Sequence, residues 1–216
     1  MSPHRSGAVR TSIGGLVVAL LALAGCTSGE GGSTSATPET SPLPDRSVGA
    51  SATLEPRPAP MEVSIARIAG GPVRKAQQRA VERQVSRVLA RYFDGAFLGG
   101  SYPRQGFPDA FSDFTQGATR TARADRDLLT NAALAGTVER VLPQRREAML
   151  DLFVPKKAVA GVTARFRLAF LAERSRGADQ RVVVSGRLLL TRADPGPWRV
   201  FGYDVQRSAV VATGGS

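Results

Sequence analysis

Cysteine and histidine are almost absent from this 216-residue sequence. Cys26 is the only cysteine, so the chain cannot form an internal disulfide or a cysteine-based metal cluster. The single histidine, His4, lies near the start of the sequence, so the rest of the chain lacks the residue most often used as a general base or metal ligand. We therefore expect no metal, no cofactor and no catalytic residues in this protein.

Long hydrophobic runs are also missing. The main apolar stretch covers residues 13–24, whereas a helix needs about 20 apolar residues to cross a bilayer. Residues 1–12 precede it and carry Arg5 and Arg10 without any acidic residue. A basic segment followed by a short apolar segment is typical of a secretory signal rather than of a membrane-spanning helix.

The apolar stretch ends in Leu23-Ala24-Gly25-Cys26, which at this position resembles the lipobox of bacterial lipoproteins. The resemblance implies that residues 1–25 are a signal peptide and that Cys26 is lipidated with a diacylglyceryl group and becomes the first residue of the mature chain. We then expect the protein on the outer face of the cell membrane, held there by its acyl chains. The alternative is an ordinary secretory signal that contains a cysteine by chance.

The remaining sequence divides by composition into three parts. Residues 26–60 are rich in Ser, Thr, Gly and Pro and contain few large apolar residues, which predicts a disordered tether. Residues 61–208 are long enough for a single domain with its own core, and residues 209–216 are expected to be a flexible tail. The formal charge of +11 falls to +9 when Arg5 and Arg10 leave with the signal. We nevertheless expect no nucleic acid partner, because an exported, anchored protein rarely meets one.

A helix is predicted from about Pro72 to about Phe93, because apolar residues recur there at three- and four-residue steps. Its other side carries a basic stripe of residues spaced by four. The members of this stripe are Lys75, Arg79, Arg83, Arg87 and Arg91. Two interpretations stay open: a solvated helix face, or a contact with anionic lipid head groups, envelope polymer or an acidic partner.

Residues 94–135 are broken by glycine and proline and contain much of the aromatic content of the chain. We predict a short helix over 108–114 and a longer one over 119–134. The aromatic residues either close one end of the core or line a ligand cavity. The candidate cavity residues are Tyr92, Phe97, Tyr102, Phe107 and Phe111.

From Gly136 onward apolar residues alternate with polar ones, which predicts strands. The predicted strands are 137–142, 147–154, 162–173, 181–192 and 198–207. Short connections between them favour an antiparallel meander with one face on the helices. The fold class is therefore α+β, with N-terminal helices packed on a curved antiparallel β-sheet.

The last predicted strand contains Trp198, Val200, Tyr203 and Val205. This strand and the order of elements over 72–207 resemble the cone-shaped nuclear transport factor 2-like fold, a cystatin-like architecture. They are also similar to domains of that fold in actinobacterial Mce-associated and conjugation-complex proteins. The resemblance extends to ketosteroid-isomerase-like and SnoaL-like enzymes, but the acids and tyrosine that those enzymes place inside the cone do not map onto this chain. Segments 97–103 and 127–132 look like sequence signatures, but their residues do not indicate a particular chemical function.

The leading functional hypothesis is a non-catalytic membrane-anchored lipoprotein of the cell envelope. Its α+β domain would act as an accessory module that binds another envelope protein, with anionic lipid as a further candidate partner. The first alternative is binding of a small molecule or lipid in the cone cavity. The second alternative is a SnoaL-like enzyme.

Overall fold

A computed structural model describes residues 59–193 and 196–212 of the chain. The signal, Cys26 and nearly all of the predicted tether precede this part, and residues 213–216 follow it, so these predictions lie outside the described residues. Among the described residues, no helix is long and apolar enough to span a membrane.

The described chain is an α+β domain built on one five-stranded sheet. Its elements, in chain order, are β1 Glu62–Ala69, α1 Lys75–Phe93, a π-helical turn Asp94–Leu98, α2 Gln116–Ala124, α3 Arg126–Leu129, β2 Val138–Phe153, β3 Gly161–Arg174, β4 Gln180–Thr191 and β5 Arg199–Val211. The strand order in the sheet is the order in sequence. Strands β2 to β5 form the predicted antiparallel meander, and β1 pairs in parallel with β2.

The start of the sheet differs from the prediction in two ways. Strand β1 was not predicted, although Val63 and Ile65 alternate with polar residues between Pro60 and the Gly70-Gly71 pair. The two strands predicted over 137–142 and 147–154 are one continuous strand, β2. Pro143 lies within this strand where the register with β3 shifts, and a bulge accommodates a residue that has no N–H to donate.

The helical region also differs from the prediction. Helix α1 begins at Lys75 rather than near Pro72. The segment 108–114 is not a helix but a series of turns, and the helix predicted over 119–134 is replaced by the shorter α2 and α3, followed by turns. At the other end, β5 continues to Val211, so residues 209–211 extend the sheet instead of forming a tail. They pair with the start of β4, where Arg181 lies opposite Val210.

The core lies between α1 and the inner face of the sheet. Because strand side chains alternate between faces, the buried residues of each strand define this inner face. They include Leu150, Leu152, Val162, Ala164, Phe166, Leu168, Phe170, Val182, Val184, Leu188, Leu190 and Val200. Aromatic contacts join the two layers: the ring centroids of Phe93 and Phe166 are 5.2 Å apart. Trp198 is buried just before β5, where its indole N–H donates to Oε1 of Gln84 on α1 at 3.1 Å.

Candidate functional site

The basic stripe predicted on α1 is exposed along its whole length. Apolar residues such as Val85 and Leu89 face the sheet and are fully buried, which leaves the five basic residues on the solvent side. Like charges four residues apart destabilise a helix by about 0.2–0.5 kcal/mol per pair. The stripe therefore costs the helix stability rather than contributing to it.

Arg91 differs from the rest of the stripe because it forms an ion pair with Asp113. Its guanidinium donates to both carboxylate oxygens of Asp113, at 2.6 and 2.9 Å. Hydrogen bonding to Asp113 raises the pKa of Arg91. A bidentate pair of this kind ties α1 to the turns over 108–114, so Arg91 has a structural role that the sequence pattern did not reveal.

Arg79, Arg83 and Arg87 lie along a groove between α1 and the start of β1, which we call the basic groove. The basic groove has a volume of about 410 Å³ and is lined by Met61, Val63, Arg79, Glu82, Arg83, Ser86 and Arg87. Within the described part of the chain, none of the three arginines has a carboxylate within 4.0 Å. Three charged guanidinium groups, with Glu82 as the single acid, thus remain free to bind an anion.

Two of the predicted cavity residues, Tyr92 and Phe97, belong to the core. Both are buried, and their rings meet edge to face with centroids 5.7 Å apart. The hydroxyl of Tyr92 donates to the carbonyl oxygen of Leu129 at 3.2 Å, and burial raises the pKa of Tyr92. These two rings fill the space between α1 and the sheet.

The third residue, Tyr102, takes part in a buried polar network that joins the two signature-like segments. Asn131 is fully buried, and its side-chain N–H₂ donates to the carbonyl oxygen of Phe97 at 2.8 Å and to the hydroxyl of Tyr102 at 3.0 Å. The Tyr102 hydroxyl in turn donates to the same Phe97 oxygen at 2.8 Å. The segments 97–103 and 127–132 are therefore bound to each other.

Arg207, on strand β5, is the charged residue of this network. The guanidinium of Arg207 donates to Oδ1 of Asn131 at 3.2 Å and to the carbonyl oxygen of Thr130 at 2.7 Å. Burial lowers the pKa of Arg207. Because its donors are taken up by the chain itself, we interpret this network as structural.

Phe107 and Phe111 are half-buried: they pack against the edge of the core and also line a surface pocket. The pocket has a volume of about 290 Å³ and is lined by Phe107, Pro108, Phe111, Ser112, Thr119, Arg123 and Arg126. Two aromatic rings beside two arginines form a small amphipathic site. The five predicted cavity residues are therefore divided between the core, the polar network and this pocket.

The outer face of the sheet, opposite α1, carries large apolar side chains that the described residues leave exposed. Met149, Phe153 and Phe201 are 49%, 56% and 51% exposed. Phe153 and Phe201 flank a cleft of about 300 Å³ whose lining includes Thr163 and Leu189. A larger groove of about 530 Å³ crosses β1 to β4 beside it, and Met149 is among its lining residues. Sequence patterning missed this surface because the alternation predicted which residues face inward but not which outward residues cluster.

Ion pairs interrupt the apolar part of the outer face, because Asp151 lies between Met149 and Phe153 on the same face of β2. Asp151 lies between Arg165, at 3.2 Å, and Arg67, at 3.9 Å, and Arg187 pairs with Asp204 at 3.1 Å. Exposed pairs of this kind contribute about 0–1 kcal/mol each to stability. Charged side chains therefore lie directly beside the apolar residues of the cleft that Phe153 and Phe201 flank.

Tyr203, Asp151 and Asp204 of the sheet take part in separate hydrogen bonds and ion pairs. Tyr203 donates to Oδ2 of Asp125 at 2.7 Å, and burial together with that carboxylate raises the pKa of Tyr203. Asp151 and Asp204 lie on the outer face in ion pairs with arginines. Across residues 59–193 and 196–212, no group of three or more His, Cys, Asp or Glu side chains is arranged to hold a metal ion.

No family model matches the chain, and neither a curated protein nor a solved structure matches it. The function proposed below therefore depends on the residues and geometry of this chain alone.

Proposed function

We propose that this protein is a non-catalytic lipoprotein of the cell envelope. Cys26 anchors it to the outer face of the membrane, and its α+β domain binds another envelope protein. The observation that carries the binding role is the outer face of the sheet, where Met149, Phe153 and Phe201 are about half exposed. Clustered apolar side chains with a polar rim are typical of protein interaction surfaces.

Two properties of the outer face favour a protein over a small molecule as its partner. Its two depressions, of about 530 and 300 Å³, are both open and lie on adjoining strands, so together they form an extended surface rather than an enclosed site. Aromatic residues and methionine are also enriched at protein interfaces relative to the rest of the surface. Phe153 and Phe201 are therefore the proposed anchor residues.

We further propose that the domain has the nuclear transport factor 2-like fold. Helix α1 packs on the inner face of the antiparallel meander, and the last strand follows Trp198 and contains Val200, Tyr203 and Val205. In this arrangement the interior of the cone corresponds to the region between α1 and the sheet, which the rings of Tyr92 and Phe97 occupy. The outer face lies on the opposite side.

Photo-cross-linking in cells tests the protein-binding role. In the test variants, a photo-reactive amino acid replaces Phe153 or Phe201. In the control variants, it replaces Arg120 on α2 or Arg176 in the β3–β4 turn, both of which are exposed. We expect both outer-face positions to give the same cross-linked protein and the control positions to lack it. A product of twice the mass of the mature chain would identify the partner as a second copy. Absence of an adduct at Phe153 and Phe201, or equal adducts at all four positions, would contradict the proposal.

Binding of a small amphipathic molecule is the second candidate function. It is favoured by the pocket of about 290 Å³ in which Phe107 and Phe111 lie beside Arg123 and Arg126. An apolar group would lie against the rings, and an anionic group would bind the guanidinium groups. This function predicts no protein adduct on the outer face, so the same cross-linking experiment separates the two candidates.

A further inference from the structure

We infer that the basic groove binds the phosphate groups of anionic membrane lipids and thereby orients the domain on the bilayer. Arg79, Arg83 and Arg87 lie four residues apart on α1, so their positions span about 12 Å along the helix axis. All three are exposed, and no carboxylate of the described residues lies within 4.0 Å of any of them. This spacing allows the groove to contact more than one head group at once.

The position of the groove favours a membrane over a soluble anion. Met61 and Val63, which line the groove, lie where the predicted tether enters the domain. A chain anchored through Cys26 thus joins the domain beside its unpaired arginines. The two apolar side chains next to the guanidinium groups match the boundary between lipid head groups and acyl chains. Lys75 extends the positive charge toward the start of α1.

Binding in this orientation has a consequence for the outer face of the sheet. Helix α1 packs on the inner face, as the contact between Phe93 and Phe166 shows, and side chains such as Phe153 and Phe201 project from the opposite face. A domain that rests on the membrane through α1 therefore presents its outer face away from the bilayer. This part of the inference rests on the proposed function, because it makes the outer face available to an envelope protein.

Vesicle co-sedimentation tests the groove without the acyl anchor. The chain from residue 26 to residue 216, carrying Cys26→Ser, is mixed with vesicles of pure phosphatidylcholine or of phosphatidylcholine with 30% phosphatidylglycerol. The test variant is R79E/R83E/R87E, with R79Q/R83Q/R87Q as a milder form. The matched control is R120E/R176E/R181E, which changes the net charge equally at exposed arginines of other elements. Circular dichroism and thermal melting check that every variant is folded.

We expect the wild-type chain to sediment with the phosphatidylglycerol vesicles and to be released near 0.5 M salt, where surface charges are strongly screened. The partition coefficient should fall about 100-fold in both groove variants and less than about threefold in the control. Equal losses in the groove and control variants would show that only net charge matters and would overturn the site. Failure of the folded wild-type chain to bind would overturn lipid binding as such, while cross-linking at Phe153 and Phe201 would still test the protein-binding role.

Discussion

Asn131 is the residue on which the region between α1 and β2 depends most. Its amide donates to Phe97 and Tyr102 and accepts from Arg207, so one side chain joins the π-helical turn, the loop after it and β5. Loss of one of these hydrogen bonds is costly because the desolvation penalty of a buried polar group is no longer compensated when its partner is removed. Side chains of this kind fix the position of segments that have little regular structure.

We therefore expect Asn131→Ala to lower the free energy of unfolding by about 2–4 kcal/mol, because it removes three hydrogen bonds from a buried network, including the one that Oδ1 accepts from Arg207. The matched control is Gln206→Ala, which removes an exposed amide with one long hydrogen bond of 3.4 Å to Ser185 and should change stability by less than about 0.5 kcal/mol. Urea titration measures both values. A loss below about 1 kcal/mol for Asn131→Ala would mean that the network is not buried as described.

Among the elements, β4 and β5 pair at Gly186 with no room for a side chain on β4. This residue lies opposite Val205 with φ of 151°, and a Cβ built there would be 2.1 Å from the carbonyl oxygen of Asp204. Glycine is therefore required for the pairing of β4 with the edge strand β5.

Gly186→Ala should separate β4 from β5 locally and lower the free energy of unfolding by roughly 2–4 kcal/mol. Gly117→Ala in α2 is the control, because a Cβ at that position meets no atom within 4 Å and alanine favours a helix. The control should be neutral or stabilising by less than about 1 kcal/mol. Thermal unfolding followed by circular dichroism distinguishes the two, and equal stability of both variants would contradict the strand register.

Local periodicity was enough to predict the elements that alternate cleanly. Strands β3 and β4 were predicted to within about one or two residues, because Phe166 and Leu188 belong to unbroken alternations. Helix α1 was predicted for the same reason, from its three- and four-residue steps. Fold class α+β and the antiparallel meander followed from the order of these elements.

Contacts between distant segments could not be predicted from local patterns. The parallel pairing of β1 with β2 joins Val63 to Ala148 across the entire helical region. The hydrogen bond from Asn131 to Phe97 and the pair of Arg91 with Asp113 likewise join residues more than twenty positions apart. For the candidate site, the basic residues of α1 were identifiable from spacing, but the groove needed β1, which the sequence pattern had not revealed.

At the scale of the whole molecule, the two proposed binding surfaces lie on opposite layers of the domain. The basic groove lies on the side of α1, and the exposed apolar residues Phe153 and Phe201 lie on the outer face of the sheet. This separation allows one surface to contact the membrane while the other binds a protein. Both proposals depend on a chain that is exported and held at the membrane by Cys26.

The most direct measurement of this central claim is mass spectrometry of the mature N-terminus, taken from the membrane fraction of the natural host. We expect the first residue to be Cys26, with an added mass that corresponds to a diacylglyceryl group. In parallel, Cys26→Ser should leave the protein in the soluble fraction or unprocessed. A mature chain that begins at another residue, or an unmodified Cys26 in a soluble protein, would contradict the account.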